Sequence, residues 1–376
     1  MAFERSWMNC DLSRPLGGRS LKEYRDPSEC DPKGGKRDAG KTGGVSVSSV
    51  DSPSGCRDCC LFVGLTAFLG LFILSTGLVH AEDASLDVPP QAAATGYKVR
   101  TFATAFTAQE VDVANTARQG FKWYPYRFFG SVPKLDSLVL NQDGSITLLG
   151  DVTGPNGEIA SAVDVSGPDK FRGTVFGGGG YFEATFRFDP RDVVRTEFRG
   201  WPAWWAMAIE HMAKLDTRQW PGQPKGFERF IEVDFFEYDL SDYVKSGRPN
   251  HYGGVLRDWF GPEGKLEPMP AWSRLFIREV PAATDFTQYH RYGFLWVPAT
   301  STSDGYAEFY FDDRKIGARL AWKKYVDEEP PPKPPRMFSI LDRNHLVLIL
   351  GTGPGQPMTV KSVNVWQASG ADNWKR

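Results

Sequence analysis

Three carboxylates, Glu232, Asp234 and Glu237, stand in the run Phe230–Asp239 (FIEVDFFEYD), whose other residues are β-branched or aromatic. Such a run predicts a strand. Strand side chains alternate between faces, so Glu232 and Asp234 share one face while Ile231, Val233 and Phe235 share the other. The second face is wholly apolar and belongs on a core. Strict alternation would send Glu237 into that core, where an unpaired carboxylate is very costly. One extra residue, a β-bulge at Phe235-Phe236, resolves the conflict by bringing Glu237 to the acidic face and returning Tyr238 to the core side. The two glutamates then stand roughly 13 Å apart at Cα, and on a twisted, concave sheet their side chains can lean together. A separation of about 5–5.5 Å between carboxyls suits a retaining glycosidase, with one acid as nucleophile and the other as proton donor. Asp234 between them would hydrogen-bond the nucleophile and help drive the glutamate pKa values apart. The plainer reading of ExDxxE alone is a solvent-facing acidic strand; the flanking aromatic residues argue against it.

The elements around this strand must come from a turn-rich β fold. Among 376 residues there are 39 Gly and 27 Pro, with 14% aromatic content, a profile that fits strands and turns better than helices. From about Gly96 short β-like runs recur between turn signals. Leu138–Leu140 and Ser145–Leu149 flank Asn141-Gln142-Asp143-Gly144 and read as a hairpin. Tyr181–Phe188, Ala307–Phe311 and Val360–Trp366 alternate likewise. There is no P-loop, no GxGxxG between strand and helix, and no internal repeat. Glu328–Pro335 (EEPPPKPP) reads as a stiff, extended surface spacer. A net charge of −2 supplies no basic footprint for nucleic acid.

All five cysteines, Cys10, Cys30, Cys56, Cys59 and Cys60, precede residue 61, so the remainder needs neither a disulfide framework nor a cysteine metal site. Residues 1–58 are polar and are expected to be disordered. Leu61–Val79 carries no charge and precedes His80-Ala81-Glu82. It reads as a signal-peptide core cleaved after Ala81 or as a retained membrane anchor, and either exports the chain that follows. Residues 82–95 are expected to be a linker and 96–376 the functional domain.

All but one of the 12 tryptophans follow residue 82. Aromatic rings beside an acidic face would stack on sugar rings. In Gly200–Trp205 (GWPAWW), alternation puts Trp201 and Trp205 on one side and Trp204 in the core.

With these motifs in place the chain resembles glycoside hydrolase family 16, in its laminarinase-like branch. Glu232–Glu237 matches that branch's bulged ExDxxE strand. Gly180–Ala184, Trp201–Trp205, Asn250–Gly253, Tyr292–Pro298, Phe309–Asp313 and Met358–Gln367 match further family segments in the same order, so the resemblance spans about residues 130–367. It implies a concanavalin A-like jelly-roll sandwich of two antiparallel sheets. It also implies Glu232 as nucleophile, Glu237 as acid/base and Asp234 as assistant, with Trp201, Trp205, His251 and Trp296 binding sugar. Lys361 stands where many members have an Asp that helps hold a structural calcium, so no metal is expected, and no cofactor. The run Glu210–Glu228, with His211 read as a solvated loop residue, looks like an insertion.

The expected activity is retaining endo-hydrolysis of a β-linked polysaccharide, with a β-1,3- or β-1,3/1,4-glucan favoured. Galactan or exopolysaccharide hydrolysis and transglycosylation are alternatives within the family. A non-catalytic carbohydrate-binding protein is the alternative of another class; it predicts loss of a catalytic carboxylate, whereas all three are present.

Overall fold

The computed structural model describes residues 88–125, 135–150, 157–191, 201–213, 231–238, 247–258, 272–324, 338–352 and 356–376. The expected disordered region 1–58, the hydrophobic segment 61–79 and the spacer Glu328–Pro335 lie outside these residues, as does most of the insertion-like run. Among the described residues no helix is long and apolar enough to cross a membrane.

After a helical turn, α1 (Pro90–Ala94), come β1 (Val99–Ala103), β2 (Tyr124–Pro125), β3 (Leu138–Leu140), β4 (Ile146–Leu148), β5 (Glu158–Ala160) and β6 (Ala162–Asp164). The middle of the chain forms β7 (Phe171–Phe176), β8 (Gly180–Phe188), β9 (Ala203–Ala208), the short α2 (Ile209–Met212), β10 (Ile231–Glu237), β11 (His251–Asp258) and β12 (Trp272–Glu279). Then follow β13 (His290–Val297), β14 (Gly305–Phe311), β15 (Arg314–Trp322), β16 (Leu346–Gly351), β17 (Met358–Gln367) and β18 (Asn373–Lys375).

These strands build two antiparallel sheets, as expected of a jelly-roll sandwich. One runs β15-β14-β13-β8-β17-β4-β3, with β1 added on β17. The other, which carries the acidic strand, runs β12-β11-β10-β9-β16-β5-β2, and β7 joins it through β16. The hairpin at Asn141–Gly144 is present, with Leu138 opposite Leu148 and Leu140 opposite Ile146. Gly144 takes φ 78°, a left-handed conformation that suits glycine at a tight turn.

Alternation explains the packing. Phe182, Ala184, Phe186 and Phe188 of β8 and Phe294 of β13 face Trp204, Val233, Phe235, Phe236 and Leu348 of the acidic sheet in one buried cluster. Phe186 stacks on Tyr292 with ring centroids 4.0 Å apart, and Phe235 stacks on Phe294 at 4.6 Å. Truncating a buried Phe of this kind to Ala costs about 3–5 kcal/mol, so this aromatic layer fixes the height at which β10 rides.

The linker expected at 82–95 ends earlier than its composition suggests. Ala92 is fully buried, and Gln91 Nε2 donates a 2.6 Å hydrogen bond to the Tyr181 hydroxyl. Tyr97 donates from its hydroxyl to the Trp296 carbonyl. Residues 88–97 are therefore part of the domain, holding Tyr181, Leu295 and Trp366 in a small cluster of their own.

Candidate active site

The bulge lies where the conflict between alternation and burial demands it. Against β9, Asp234 is opposite Trp205 and Phe236 opposite Trp204, so two steps on β10 match one on β9. Against β11, Asp234 is opposite Val255 and Glu237 opposite Gly253, three steps against two. Phe235 and Phe236 consequently both enter the core. Phe235 packs on Trp204 and Phe182, and Phe236 on Phe186 and Tyr252. Tyr238 follows them into the core, leaving Glu237 half-buried on the face that carries Glu232 and Asp234.

The three acids form one electrostatic unit. Asp234 is 1% exposed and within hydrogen-bond reach of both glutamates. Among the described residues its Oδ2 has no hydrogen-bond partner. Burial, then the charges of Glu237 and Glu232, push the Asp234 carboxyl well above the usual aspartate range despite Arg257 nearby. A protonated Asp234 can donate to a neighbouring carboxylate, which is how adjacent buried acids coexist. Glu237 is also pushed up, first by burial and then by the Glu232 charge, against the opposing pull of Arg257. Trp201 Nε1 donates to Glu237 Oε1 at 3.0 Å and moderates that rise. A carboxyl whose pKa is pushed up beside a carboxylate paired with a cation is the division of labour that acid-assisted displacement needs.

Arg257 is the residue that sequence reasoning missed. It is the cross-strand neighbour of Glu232 on β11. Its Nη1 donates to Glu232 Oε1 and lies 3.4 Å from Asp234 Oδ2. Burial alone would lower the guanidinium pKa, but attraction to Glu232, Asp234 and Glu237 outweighs it and raises the value.

The aromatic and imidazole candidates divide. Trp201 touches Glu237. Trp205, half-buried, pairs in register with Asp234 and packs against an apolar cluster that includes Met207 and Ile349, while Trp204 is fully buried in the core as alternation requires. His251 shares its face of β11 with Gly253 and Arg257, and its Nε2 is 4.0 Å from Glu279 Oε2. Trp296 is a correction. It lies on β13 of the opposite sheet, fully buried, stacked on Phe182, with its Nε1 donating to Asp342 Oδ1 at 2.8 Å. It is a core residue and cannot touch a sugar on the acidic face. Glu210, the first residue of the insertion-like run, is fully buried and hydrogen-bonded to His345. Among the described residues no group of His, Cys, Asp and Glu is arranged to hold a metal.

No family model matches the chain, and no curated protein matches it. Solved structures similar to it include a non-specific endo-β-1,3(4)-glucanase from family 16, at 14% identity and TM-score 0.41 over 74% of this chain and 91% of that one. A family 16 endo-glucanase from Bacteroides ovatus has 12% identity and TM-score 0.40, over 65% of this chain and 93% of that one. An endo-1,3-β-glucanase from Streptomyces sioyaensis has 17% identity and TM-score 0.40, over 74% and 97%.

Proposed function

We propose that the protein is a retaining endo-glycosidase acting on a β-linked polysaccharide, with a β-1,3- or β-1,3/1,4-glucan as the favoured substrate. One observation carries this reading: the bulge gathers three carboxyls on one face, with the third pushed above its ordinary range beside the first. Glu237 delivers its proton to the departing glycosidic oxygen while a Glu232 carboxylate oxygen attacks the anomeric carbon. Asp234 hydrogen-bonds Glu232 during the attack. Glu237, now ionised, takes a proton from water as that water attacks the glycosyl-enzyme and frees Glu232. Trp201 and Trp205 offer ring faces for sugar, and His251 a ring nitrogen for a hydroxyl. Export of this domain through the Leu61–Val79 segment belongs to the same proposal, and fractionation of expressing cells tests it.

Purified protein is assayed on laminarin, lichenan, agarose and carrageenan for new reducing ends. The expected result is cleavage of at least one glucan, reduced at least ~10³-fold in Glu232→Gln. No cleavage of any polymer, or wild-type activity in Glu232→Gln, overturns the reading.

A further inference from the structure

We propose that Arg257 is a positioning residue, whose guanidinium clamps the Glu232 carboxylate against Asp234 and thereby sets both the aim of the nucleophile and the protonation of its neighbours. The inference rests on the glycosidase reading of the same site and adds to it a residue outside the ExDxxE run.

The geometry is specific. Register places Arg257 directly across from Glu232, and a single nitrogen, Nη1, donates to Glu232 and lies within ion-pair distance of Asp234. The Glu232 side chain is 4% exposed and that of Arg257 25%, so little water screens the contact. Among the described residues of β9, β10 and β11, Arg257 is the only lysine or arginine. The faces of β9 and β11 toward the acids otherwise offer Ala203, Trp205, Met207, His251, Gly253 and Val255, and on β12 the register neighbour of Arg257 is Ser273. A nucleophile on a long, rotatable side chain loses aim unless a neighbour fixes it. A planar guanidinium does this better than an ammonium, which is compact and strongly hydrated. The same charge opposes the upward push on Asp234 and Glu237.

The test uses Arg257→Met and Arg257→Lys in the full chain, with kcat, KM, the pH–rate profile and carboxyl-carbon NMR titration of the Glu and Asp side chains. In Arg257→Met, kcat is expected to fall about 100-fold with KM changed less than about threefold, the loss typical of one preorganised charged donor. The titration midpoints of Asp234 and Glu237 rise, and the alkaline limb of the profile moves to higher pH with them. Arg257→Lys keeps the midpoints near wild type but loses about tenfold in kcat. A kcat within about twofold of wild type in Arg257→Met, or unmoved midpoints, overturns the proposal. If Arg257→Met does not fold by circular dichroism, Arg257→Lys decides, and a wild-type kcat there overturns it. If the wild-type protein cleaves no polysaccharide, the glycosidase reading fails separately, and unmoved midpoints in folded Arg257→Met still overturn the clamp.

Discussion

Both ends of β9 are flanked by acidic groups, and they behave in opposite ways. At its start, Ala203 pairs with Glu237 in a group of three carboxyls served by one guanidinium. Just past its end, Glu210 meets His345, whose Nδ1 lies 2.8 Å from Glu210 Oε1 and whose Nε2 lies 3.1 Å from Asp372 Oδ2. Burial would lower the His345 pKa, but the hydrogen bonds to Asp372 and Glu210 outweigh it and raise the value to about 9. The charged imidazole is thus enclosed by acids it neutralises. Gly177 leaves room for the ring, since a Cβ there would come within 2.6 Å of His345 Cδ2. This network ties α2 to the segment leading into β18. The difference is one of proportion: at His345 two acids share one cation and the group is a fastener, whereas at Arg257 three acids share one and the carboxyls of Asp234 and Glu237 are pushed above their ordinary range. Surplus acid is a cost to folding, and strongly perturbed carboxyls of this kind cluster at functional sites.

The sharpest way to break this contrast is to make the same change at both places. Glu237→Gln mimics the protonated acid. It should lower kcat on polysaccharide about 10³-fold, and far less on an activated aryl glycoside whose leaving group needs no proton. Its melting temperature should be equal to or above that of wild type. A carboxyl raised in the folded state weakens folding once pH exceeds the ordinary glutamate value of ~4.3, so the gap should widen as pH rises past that point. Glu210→Gln should do the reverse and cost roughly 3 kcal/mol of stability in urea unfolding while the folded fraction retains its kcat. A loss of stability in Glu237→Gln, or none in Glu210→Gln, would remove the distinction.

The fastener has its own pH signature. His345 is raised from 6.5 to about 9, so its contribution is complete below about pH 6.5 and is lost as pH rises through about 9. The contribution at stake is ~2–3 kcal/mol, and it should appear as a melting temperature that falls between neutral pH and pH ~9.5. In His345→Gln that slope should flatten, with the lower melting temperature already present at neutral pH. A wild-type slope in the variant would mean that another group carries it.

These two regions were not equally legible in the sequence. The bulge was readable because a buried unpaired carboxylate is forbidden strongly enough to override alternation, and Phe235-Phe236 was the one place to absorb the extra residue. Trp204 was readable by the same alternation. Trp296 was misplaced although its signal was present: Tyr292, Phe294 and Trp296 share one face of β13, and three large aromatic residues in register belong to a core. Arg257 was invisible because register is a tertiary fact, and nothing local says that residue 257 faces residue 232. Once His251 is placed beside the acids, however, counting by twos along β11 reaches Arg257. The Glu210–His345–Asp372 network joins three distant stretches, and no spacing rule connects them. The helical turn at Pro90–Ala94 is too short for periodicity to reveal.

The smallest effect is also the most local. Trp201 Nε1 is a neutral donor to Glu237, and it favours the ionised form of that acid. Trp201→Phe keeps an aromatic face for sugar but deletes the donor. Glu237 should then hold its proton more tightly, and the alkaline limb of the pH–rate profile should move upward by a fraction of a unit, the scale of one neutral hydrogen bond. The proton is also given up less readily in the transition state, so kcat should fall up to about tenfold. The direction matters more than the size. Any donor removed from the surplus-acid group pushes Glu237 further from ionisation, whereas removing a partner from His345 pulls its pKa down. An alkaline limb that stays put or moves to lower pH in Trp201→Phe would show that the limb reports a group other than Glu237.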